Sequence, residues 1–504
     1  MKYTLLVSLF FAVLACNVSK TTYKIKKDKQ VIKYANSITA EELKQHLSII
    51  ASDEYEGRET GKKGQRMTAT YLQNEFKKDG IAPGNKGSYL QNFPLQETAP
   101  PSSTISISGQ TYEFAKDFYF FSALTKLKPF QEKKSNIIDV GYGINDDKRN
   151  DYQKLTVKGK TVIISTDKIE SHPTWDWRKK LKVAKEQGAK SVFFTSTNFS
   201  TNLLKLDHYL TGSSMKLVSD TKDKKKEEFN FLFISDELKS TLLKGSRNAD
   251  KNDAYINTDD DIIQFDVKSN SKIITTSNVL GFIEGSDKNL KNEVVVLTAH
   301  YDHLGVIEGE VYNGADDDGT GTVALLELAE AFQKAKNEGN GPKRSILIMP
   351  VSGEEKGLLG SRYYSENPVY PLSNTVVDLN IDMIGRLDKN HKKPNYVYLI
   401  GADKISKELH DVSEAANKTY SKLDLDYTFN DENDPNRFYY RSDHYNFAKK
   451  GIPVIFYFSG VHEDYHKATD EIDKIMFDKV ERITKLVFYT AWEIANKPTR
   501  LKID

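Results

Sequence analysis

The sequence predicts an α/β fold: a mostly parallel mixed sheet flanked by helices, with a β-rich insertion in the N-terminal half. After residue 275, short apolar runs alternate with amphipathic helical patterns at 319–336, 404–419 and 473–496. Such alternation is typical of helices packed on a parallel sheet. The apolar runs that predict strands lie at 279–283, 294–297, 345–351, 376–381, 396–400 and 454–458.

The region before residue 275 contains two kinds of sequence pattern. Thr39 and Glu42 form a capping box that predicts a helix, and residues 64–79 predict a second helix. From about 104 to 270, short strand-like runs predict the β-rich insertion. The predicted divisions are a signal peptide (1–16), a tether (17–35), the N-terminal part of the main domain (36–125), the insertion (126–268) and the main α/β part (269–504).

The N-terminus predicts export. Lys2 precedes an apolar run at 5–15, which is typical of a secretory signal and too short for a spanning helix. Cys16 follows directly and is the sole cysteine, so no intrachain disulfide can form. The run that ends on Cys16 resembles a bacterial lipoprotein box, which implies a lipid-anchored protein in the periplasm or on the cell surface. The alternative is a cleaved signal and a soluble product.

Charge and composition exclude some classes of protein. Lys and Arg number 72 against 71 Asp and Glu, so the net charge gives no reason to expect a nucleic-acid partner. Apolar residues make up 38% of the chain, which argues against general disorder. Apart from the expected N-terminal lipid, no segment predicts contact with a membrane.

Ligand-type side chains follow five successive elements of the predicted sheet. In an α/β sheet, loops at the carboxyl ends of the strands carry the functional groups. Asp turns often only cap helices, and Asp318 could do so here. Five successive loops with imidazoles or carboxylates nevertheless indicate one site. These residues are His300 and Asp302, Asp316 to Asp318, Glu354 and Glu355, Asp382, and His462 to His466.

Converging carboxylates would repel one another without a positive charge between them. A pair of metal ions supplies this charge and needs roughly five protein ligands, one of them bridging. Mixed His and carboxylate ligands suit zinc, with cobalt or manganese as replacements. The sequence therefore predicts a dinuclear metal site.

Five motifs in order, AHYDHLG, NGADDDGTG, SGEEKGLLGS, NIDMIGR and YHKATD, resemble the zinc-dependent aminopeptidase family with two co-catalytic zinc ions. This family also contains glutamate carboxypeptidases, glutaminyl cyclases and the non-catalytic transferrin receptor. The resemblance covers 36–125 and 275–500. Between them, GKTVII and KLKVAKEQGAKSVFF resemble a protease-associated domain, a small insertion found in secreted peptidases.

The resemblance implies a ligand for each metal position. His300 and Asp382 would bind one zinc ion, and Glu355 and His466 would bind the other. Asp317 would bridge the two ions, and the peptide bond that follows it would be cis.

The resemblance also implies three supporting roles. Asp302 would accept the second ring N–H of His300 and fix its tautomer. Glu354 would act as the general base. Tyr439 would help to stabilise the oxyanion, although Tyr440 is adjacent.

The function implied is that of a metal-dependent exopeptidase acting on peptides, in the first instance an aminopeptidase. A glutaminyl-cyclase-like acyl transferase, which uses one metal in that branch, and a carboxypeptidase are the enzymatic alternatives. A receptor-like binding protein is the alternative from another class, but such members are expected to have lost ligands. The insertion would restrict which peptides enter the site, an expectation that rests on fold analogy alone.

Overall fold

The structure is a computed structural model that describes residues 23–121, 127–221, 229–250, 254–256, 259–268 and 270–504. Cys16 and the predicted signal peptide lie outside the described residues. The chain divides into two compact units. The first unit comprises residues 1–92 and 277–504, and the second comprises residues 93–276.

Eleven α-helices lie in the described part of the chain. They are α1 (Lys29–Ala35), α2 (Ala40–Ile50), α3 (Lys63–Lys78), α4 (Trp177–Glu186), α5 (Phe199–Thr211), α6 (Asp236–Leu243), α7 (Gly321–Asn337), α8 (Leu359–Glu366), α9 (Lys407–Ala416), α10 (His444–Ala448) and α11 (Phe477–Asn496).

The strands before residue 280 belong mostly to the second unit. They are β1 (Ala82–Pro83), β2 (Leu90–Thr98), β3 (Ser102–Ile107), β4 (Gln110–Glu113), β5 (Phe118–Tyr119), β6 (Phe130–Lys133), β7 (Ile137–Asp139), β8 (Thr161–Ser165), β9 (Ser191–Thr195), β10 (Ser214–Leu217), β11 (Asn230–Ile234), β12 (Arg247–Asp250), β13 (Ala254–Ile256), β14 (Ile262–Lys268) and β15 (Ser271–Val279).

The remaining strands belong to the first unit. They are β16 (Gly281–Ile283), β17 (Val294–His300), β18 (Gly305–Ile307), β19 (Glu310–Tyr312), β20 (Ser345–Val351), β21 (Thr375–Ile381), β22 (Tyr396–Ile400), β23 (Asp424–Asp426) and β24 (Val454–Phe458). All of them except β18 and β19, which pair with each other, join its main sheet.

The first unit is an eight-stranded mixed sheet in the order β1-β16-β20-β17-β21-β24-β22-β23. Its centre is parallel, because β20, β17, β21 and β24 pair in the same direction. Strand β22 runs antiparallel to β24, and β16 runs antiparallel to β20. This confirms the predicted α/β fold with a mostly parallel mixed sheet.

Both faces of the central sheet are covered, which explains why its strands are continuously apolar. Val295 and Leu297 of β17 pack in a core with residues of α2, α7 and α11. Val294 and Val296 point to the opposite face and pack with residues of α8 and α10. All seven residues of β17 are therefore buried, His300 included.

The second unit has a seven-stranded sheet in the order β12-β13-β7-β8-β9-β11-β5. Strands β7, β8, β9 and β11 are parallel. A four-stranded sheet, β4-β3-β14-β6, belongs to the same unit. The identity of this unit as a protease-associated domain stays a prediction.

The boundaries of the second unit differ from the predicted 126–268. Strand β3 pairs with β14 over six residue pairs, from Ile107 with Ile263 to Ser102 with Lys268. Residues before 126 are thus tied to residues near 268 by main-chain hydrogen bonds. This pairing, together with that of β2 and β10, draws the segment from residue 93 into the second unit.

Within the described ranges, none of the helices has both the length and the apolar character needed to cross a membrane.

Candidate metal centre

The ligand-type residues meet at the carboxyl ends of the parallel strands. His300 is the last residue of β17 and pairs with Val351, the last residue of β20. Glu354 and Glu355 follow β20 after a two-residue turn, and Asp382 directly follows β21. The common direction of the strands therefore brings the imidazole and the carboxylates together.

A first donor group consists of His300, Asp317 and Asp382, all three of them buried. His300 Nε2 lies 3.3 Å from Asp317 Oδ1 and 3.7 Å from Asp382 Oδ1. Two donors bound to one tetrahedral zinc are about 3.3–3.6 Å apart, given bonds of about 2.0–2.2 Å. The spacing of this group fits one zinc ion.

A second donor group surrounds the other oxygen of Asp317. His466 Nε2 lies 3.2 Å from Asp317 Oδ2 and 3.3 Å from Glu355 Oε2. His303 Nδ1 lies 2.9 Å from Glu355 Oε1 and 3.8 Å from Asp317 Oδ2. The His466 distances fit donors around one zinc ion, whereas the two His303 distances lie below and above that spacing. Asp317 belongs to both groups.

His303 is the residue at this site that the sequence analysis missed. It follows His300 by three residues in the motif HYDHLG, where a strand has already ended. Its side chain is fully buried beside Glu355. The presence of a second histidine in the same loop after β17 could have indicated that His303 belongs to the site.

The imidazoles and carboxylates shift one another's pKa values. Burial alone would lower the pKa of His466, but contacts with Asp317 and Glu355 raise it to about 10. Burial would raise the pKa of Asp317, but His300, His303 and His466 hold it well below its usual range. The cluster therefore favours positive charge between its carboxylates, supplied by protons or by cations.

Glu354 stands beside the first donor group. Its Oε2 lies 3.9 Å from His300 Nε2. Burial raises the pKa of Glu354 well above its ordinary value, and the nearby Glu355 and Asp382 raise it further despite the opposing effect of His300. A carboxylate with a raised pKa at this place can take up a proton during a reaction.

Residues 278–491 match the family model described as Peptidase family M28. This segment is a peptidase family M28 domain. A probable zinc metalloprotease from Pyrenophora tritici-repentis is 30% identical over 268 residues, covering 45% of the chain and 53% of the relative. Aminopeptidase YwaD from Bacillus subtilis is 26% identical over 236 residues, covering 45% of the chain and 47% of the relative. The chain spans about half the length of these curated relatives.

Two solved structures share the fold of the chain. An aminopeptidase from Aneurinibacillus sp. strain AM-1 has a TM-score of 0.55 at 19% identity, over 94% of this chain and 98% of that chain. A zinc aminopeptidase from Bacillus subtilis has a TM-score of 0.51 at 19% identity, over 91% and 96%. At these identities the likeness concerns the fold.

The second ring nitrogen of His300 in the M28 domain is held by Asp302. His300 Nδ1 lies 3.0 Å from the main-chain oxygen of Asp302, so the carbonyl is the acceptor. The Asp302 carboxylate instead accepts hydrogen bonds from Thr60 Oγ1 at 2.6 Å and from the Glu354 N–H at 3.3 Å. Asp302 thus positions both His300 and Glu354.

Tyr439 is not brought to the metal centre of the M28 domain. It lines a separate cavity with Lys404 and packs against Gly401 and Val454. Tyr465 is the tyrosine at the centre, because its ring stacks on His466 at 3.9 Å. The role of Tyr439 in stabilising the oxyanion stays a prediction, because spacing from a motif does not determine which way a side chain in a turn points.

The cis peptide bond implied by the family resemblance is present between Asp317 and Asp318. The Asp318 carboxylate accepts N–H groups from His300, Gly321 and Met383. It therefore joins the end of β17, the start of α7 and the loop after β21. Asp318 acts within the M28 domain as a local anchor for three segments.

Buried polar groups also orient the outer donors of the M28 domain. Ser442 Oγ donates to Asp382 Oδ2 at 2.7 Å, which leaves Oδ1 directed at His300. Asp470 accepts the main-chain N–H groups of Asp316 and Asp317. The donors are therefore held in place by the protein itself, as a preformed metal site requires.

Two adjoining cavities open beside the metal centre. The smaller one is lined by His300, Asp317, Glu354 and Asp382 together with aromatic side chains. The larger one has a volume of about 960 Å³. Both cavities are lined by Phe438, Arg441, Val461 and Tyr465.

Proposed function

We propose that the protein is a dizinc exopeptidase, most specifically an aminopeptidase that removes N-terminal residues from peptides. One observation carries the proposal: two donor groups share the carboxylate of Asp317, and Glu354 stands beside them without belonging to either. The zinc-peptidase and aminopeptidase names of the relatives support the same reading.

The residues divide the chemistry among them. Zinc in such a site polarises a carbonyl group and lowers the pKa of water. His300, Asp382 and Asp317 would hold one ion, and Glu355, His466 and Asp317 the other. The Glu354 carboxylate accepts the proton of the attacking water and passes it to the leaving amine. Asp302 keeps Glu354 and His300 in position through the contacts described above.

The cavity beside the metal centre favours an apolar N-terminal side chain. Phe438, Phe456, Phe458, Met383 and Val461 line it together with the donors. This cavity holds only about 30 Å³, so an N-terminal side chain would extend from it into the larger cavity, which Phe438 and Val461 also line. An apolar side chain gains free energy from burial against these residues, whereas a charged one loses hydration. The remainder of a peptide has room in the larger adjoining cavity.

The test is hydrolysis of a panel of aminoacyl-arylamides by the purified protein. Leucyl and phenylalanyl substrates with a free amine should be cleaved fastest, and their N-acetyl forms should not be cleaved. A chelator should abolish the activity and added zinc should restore it. Cyclisation of N-terminal glutamine with one bound metal, or cleavage only at a free C-terminus, would replace the proposal by one of its alternatives.

The localisation part of the proposal rests on the sequence at Cys16. The cysteine directly follows the apolar run and is available for lipidation. Cys16→Ser should move the protein from the membrane fraction to the soluble fraction. A wild-type protein found wholly in the soluble fraction would contradict the anchor.

A further inference from the structure

We propose that His303 is a fourth protein ligand of the second metal ion, beside Asp317, Glu355 and His466. The inference rests on the proposed dizinc function and adds a residue outside the set that the family resemblance implies. It is carried by two observations: the position of Nδ1 and the absence of a well-aligned hydrogen bond to the ring.

The position of His303 Nδ1 is that of a donor in the second group. It lies 2.9 Å from Glu355 Oε1 and 3.8 Å from Asp317 Oδ2. These values bracket the separation of about 3.3–3.6 Å between two donors on one tetrahedral zinc. His466 approaches the same two carboxylates at 3.2 and 3.3 Å. The two imidazoles therefore face the same pair of carboxylates.

The ring of His303 makes no well-aligned hydrogen bond in the described part of the chain, although Nδ1 lies 2.9 Å from Glu355 Oε1. Its side chain is fully buried, and neither Nδ1 nor Nε2 forms a hydrogen bond of acceptable geometry. The contact with Glu355 is close but not aligned as a hydrogen bond. Buried polar atoms normally have partners, so a nitrogen aimed at two carboxylates without an aligned hydrogen bond is suited to bind a cation.

The main chain holds His303 where it is. Its N–H donates to the carbonyl of Arg58 at 3.3 Å, and its ring packs over Gly314. A Cβ at Gly314 would lie only 2.4 Å from the ring of His303, so the loop leaves just enough space for the imidazole. The hydrogen bond to Arg58 and the packing against Gly314 therefore fix the position of the ring.

The two ions would then differ in their number of protein donors. Asp317, Glu355, His303 and His466 would complete a tetrahedral set around the second ion. The first ion would have three donors, His300, Asp317 and Asp382, and His300 lies on the side of Glu354. Three protein donors leave one position of a tetrahedral site open for water or substrate, whereas four protein donors fill it. His303 would thus direct the open position toward the general base.

X-ray absorption spectroscopy of the zinc-loaded wild-type protein tests the ligand count directly. We expect three histidine ligands per two zinc ions, because His300, His303 and His466 all coordinate. A count of two would overturn the proposal for His303 and leave the dizinc site intact. A protein that binds fewer than two zinc ions would instead contradict the proposed function.

A variant gives a second and independent measurement. His303→Gln should weaken binding of one of the two zinc ions by more than about a hundredfold in chelator competition. A residue that acts only through another ligand typically costs 10- to 100-fold. His410→Gln, which removes a half-buried imidazole from α9, should leave both affinities unchanged. Unchanged zinc binding in folded His303→Gln would refute ligation by His303.

Discussion

Asp317 is the residue on which the metal centre depends most. Oδ1 faces His300, whereas Oδ2 faces His303 and His466. Its main-chain N–H is held by Asp470, which fixes the backbone from which the carboxylate extends. One buried carboxylate can therefore serve both donor groups.

Glu354 and Glu355 are adjacent in sequence but face different partners. Glu355 lies between His303 and His466, whereas Glu354 lies beside His300. Glu354→Ala should keep two zinc ions and lower kcat by at least about a hundredfold, because general-base help is worth about 10²–10⁴. Glu355→Ala should lose zinc. Metal analysis with steady-state kinetics checks both, and the assignment fails if the two variants behave alike.

Because Glu327 of α7 is buried, the free energy of unfolding of the protein should depend on pH. Burial raises its pKa from 4.5 to about 8. The folded state therefore keeps a proton that the unfolded state loses above pH 4.5. The stabilisation from this proton is complete below pH 4.5 and is lost as the pH rises to about 8.

The Glu327→Gln variant removes this titration. Between pH 5.5 and pH 8, its free energy of unfolding should rise relative to the wild type by about 2–3 kcal/mol. Urea unfolding at the two pH values measures the difference, and titrations shared by both proteins cancel. Parallel pH profiles for the two proteins would contradict the raised pKa.

At the scale of elements, the capping box of α2 shows which features of a helix start can be predicted from local sequence. The side chain of Thr39 caps α2 by accepting the N–H of Glu42, as predicted. Glu42, however, accepts the Thr39 hydroxyl rather than its N–H. That N–H donates to Glu327, which lies 288 residues away in α7. The start of the helix was predictable from local sequence, but the partner of the Thr39 N–H was not.

Arg58 joins the loops of the metal centre. Its guanidinium is fully buried and donates to the carbonyls of Ile50, Tyr301, Asn313 and Gly314. It thereby ties the end of α2 to the loop after β17 and to the loop before α7. Its pKa, lowered by burial to about 10, keeps the side chain charged at neutral pH.

The Arg58→Met variant should lose both stability and zinc affinity. Removing the guanidinium takes away its hydrogen bonds to four buried carbonyls, which should cost about 3–5 kcal/mol. The loops that carry His303 and Asp317 would also lose their common support. Urea unfolding and chelator competition measure the two effects.

Arg344→Met is the matched control for Arg58→Met. Arg344 is equally buried but donates to Glu293 and to the carbonyls of Ile494 and Lys497 at the end of α11. Its loss should lower stability and leave zinc affinity unchanged. Equal zinc affinity in both variants would show that Arg58 does not support the metal centre.

At the scale of the whole molecule, all the donors belong to the first unit. The chain enters the second unit through β2 and leaves it through β15, which are neighbours in one sheet. Gln91 and Asn278, at the borders of the first unit, are joined by a side-chain hydrogen bond of 3.0 Å. A short linker can therefore close the first unit.

Replacing residues 93–276 by a Gly/Ser linker should preserve two zinc ions and hydrolysis of a small aminoacyl-arylamide. Activity on long peptides should change more, if the second unit selects substrates as the fold analogy implies. Measurements of kcat/KM for one short and one long substrate compare the two. Equal changes would mean that the second unit takes no part in selection. Loss of zinc would contradict the independence of the first unit.

The sequence by itself determined the fold class and the chemical type of the site. Continuous apolar runs mark strands buried on both faces, and loops at their carboxyl ends must lie at one edge. His300, Glu355, Asp382 and His466 could thus be named from strand ends and motifs, and the structure brings them together around Asp317.

Only the tertiary structure decided which side chains in these loops face the metal centre. His303 lies beside Glu355, whereas Tyr439 lines another cavity. The ring of His300 contacts the main-chain carbonyl of Asp302 and not its carboxylate. The physical reason is that a loop side chain takes its direction from distant contacts. One such contact is the hydrogen bond from Arg58 to the carbonyl of Tyr301, 243 residues away. It cannot be predicted from the sequence of the loop alone.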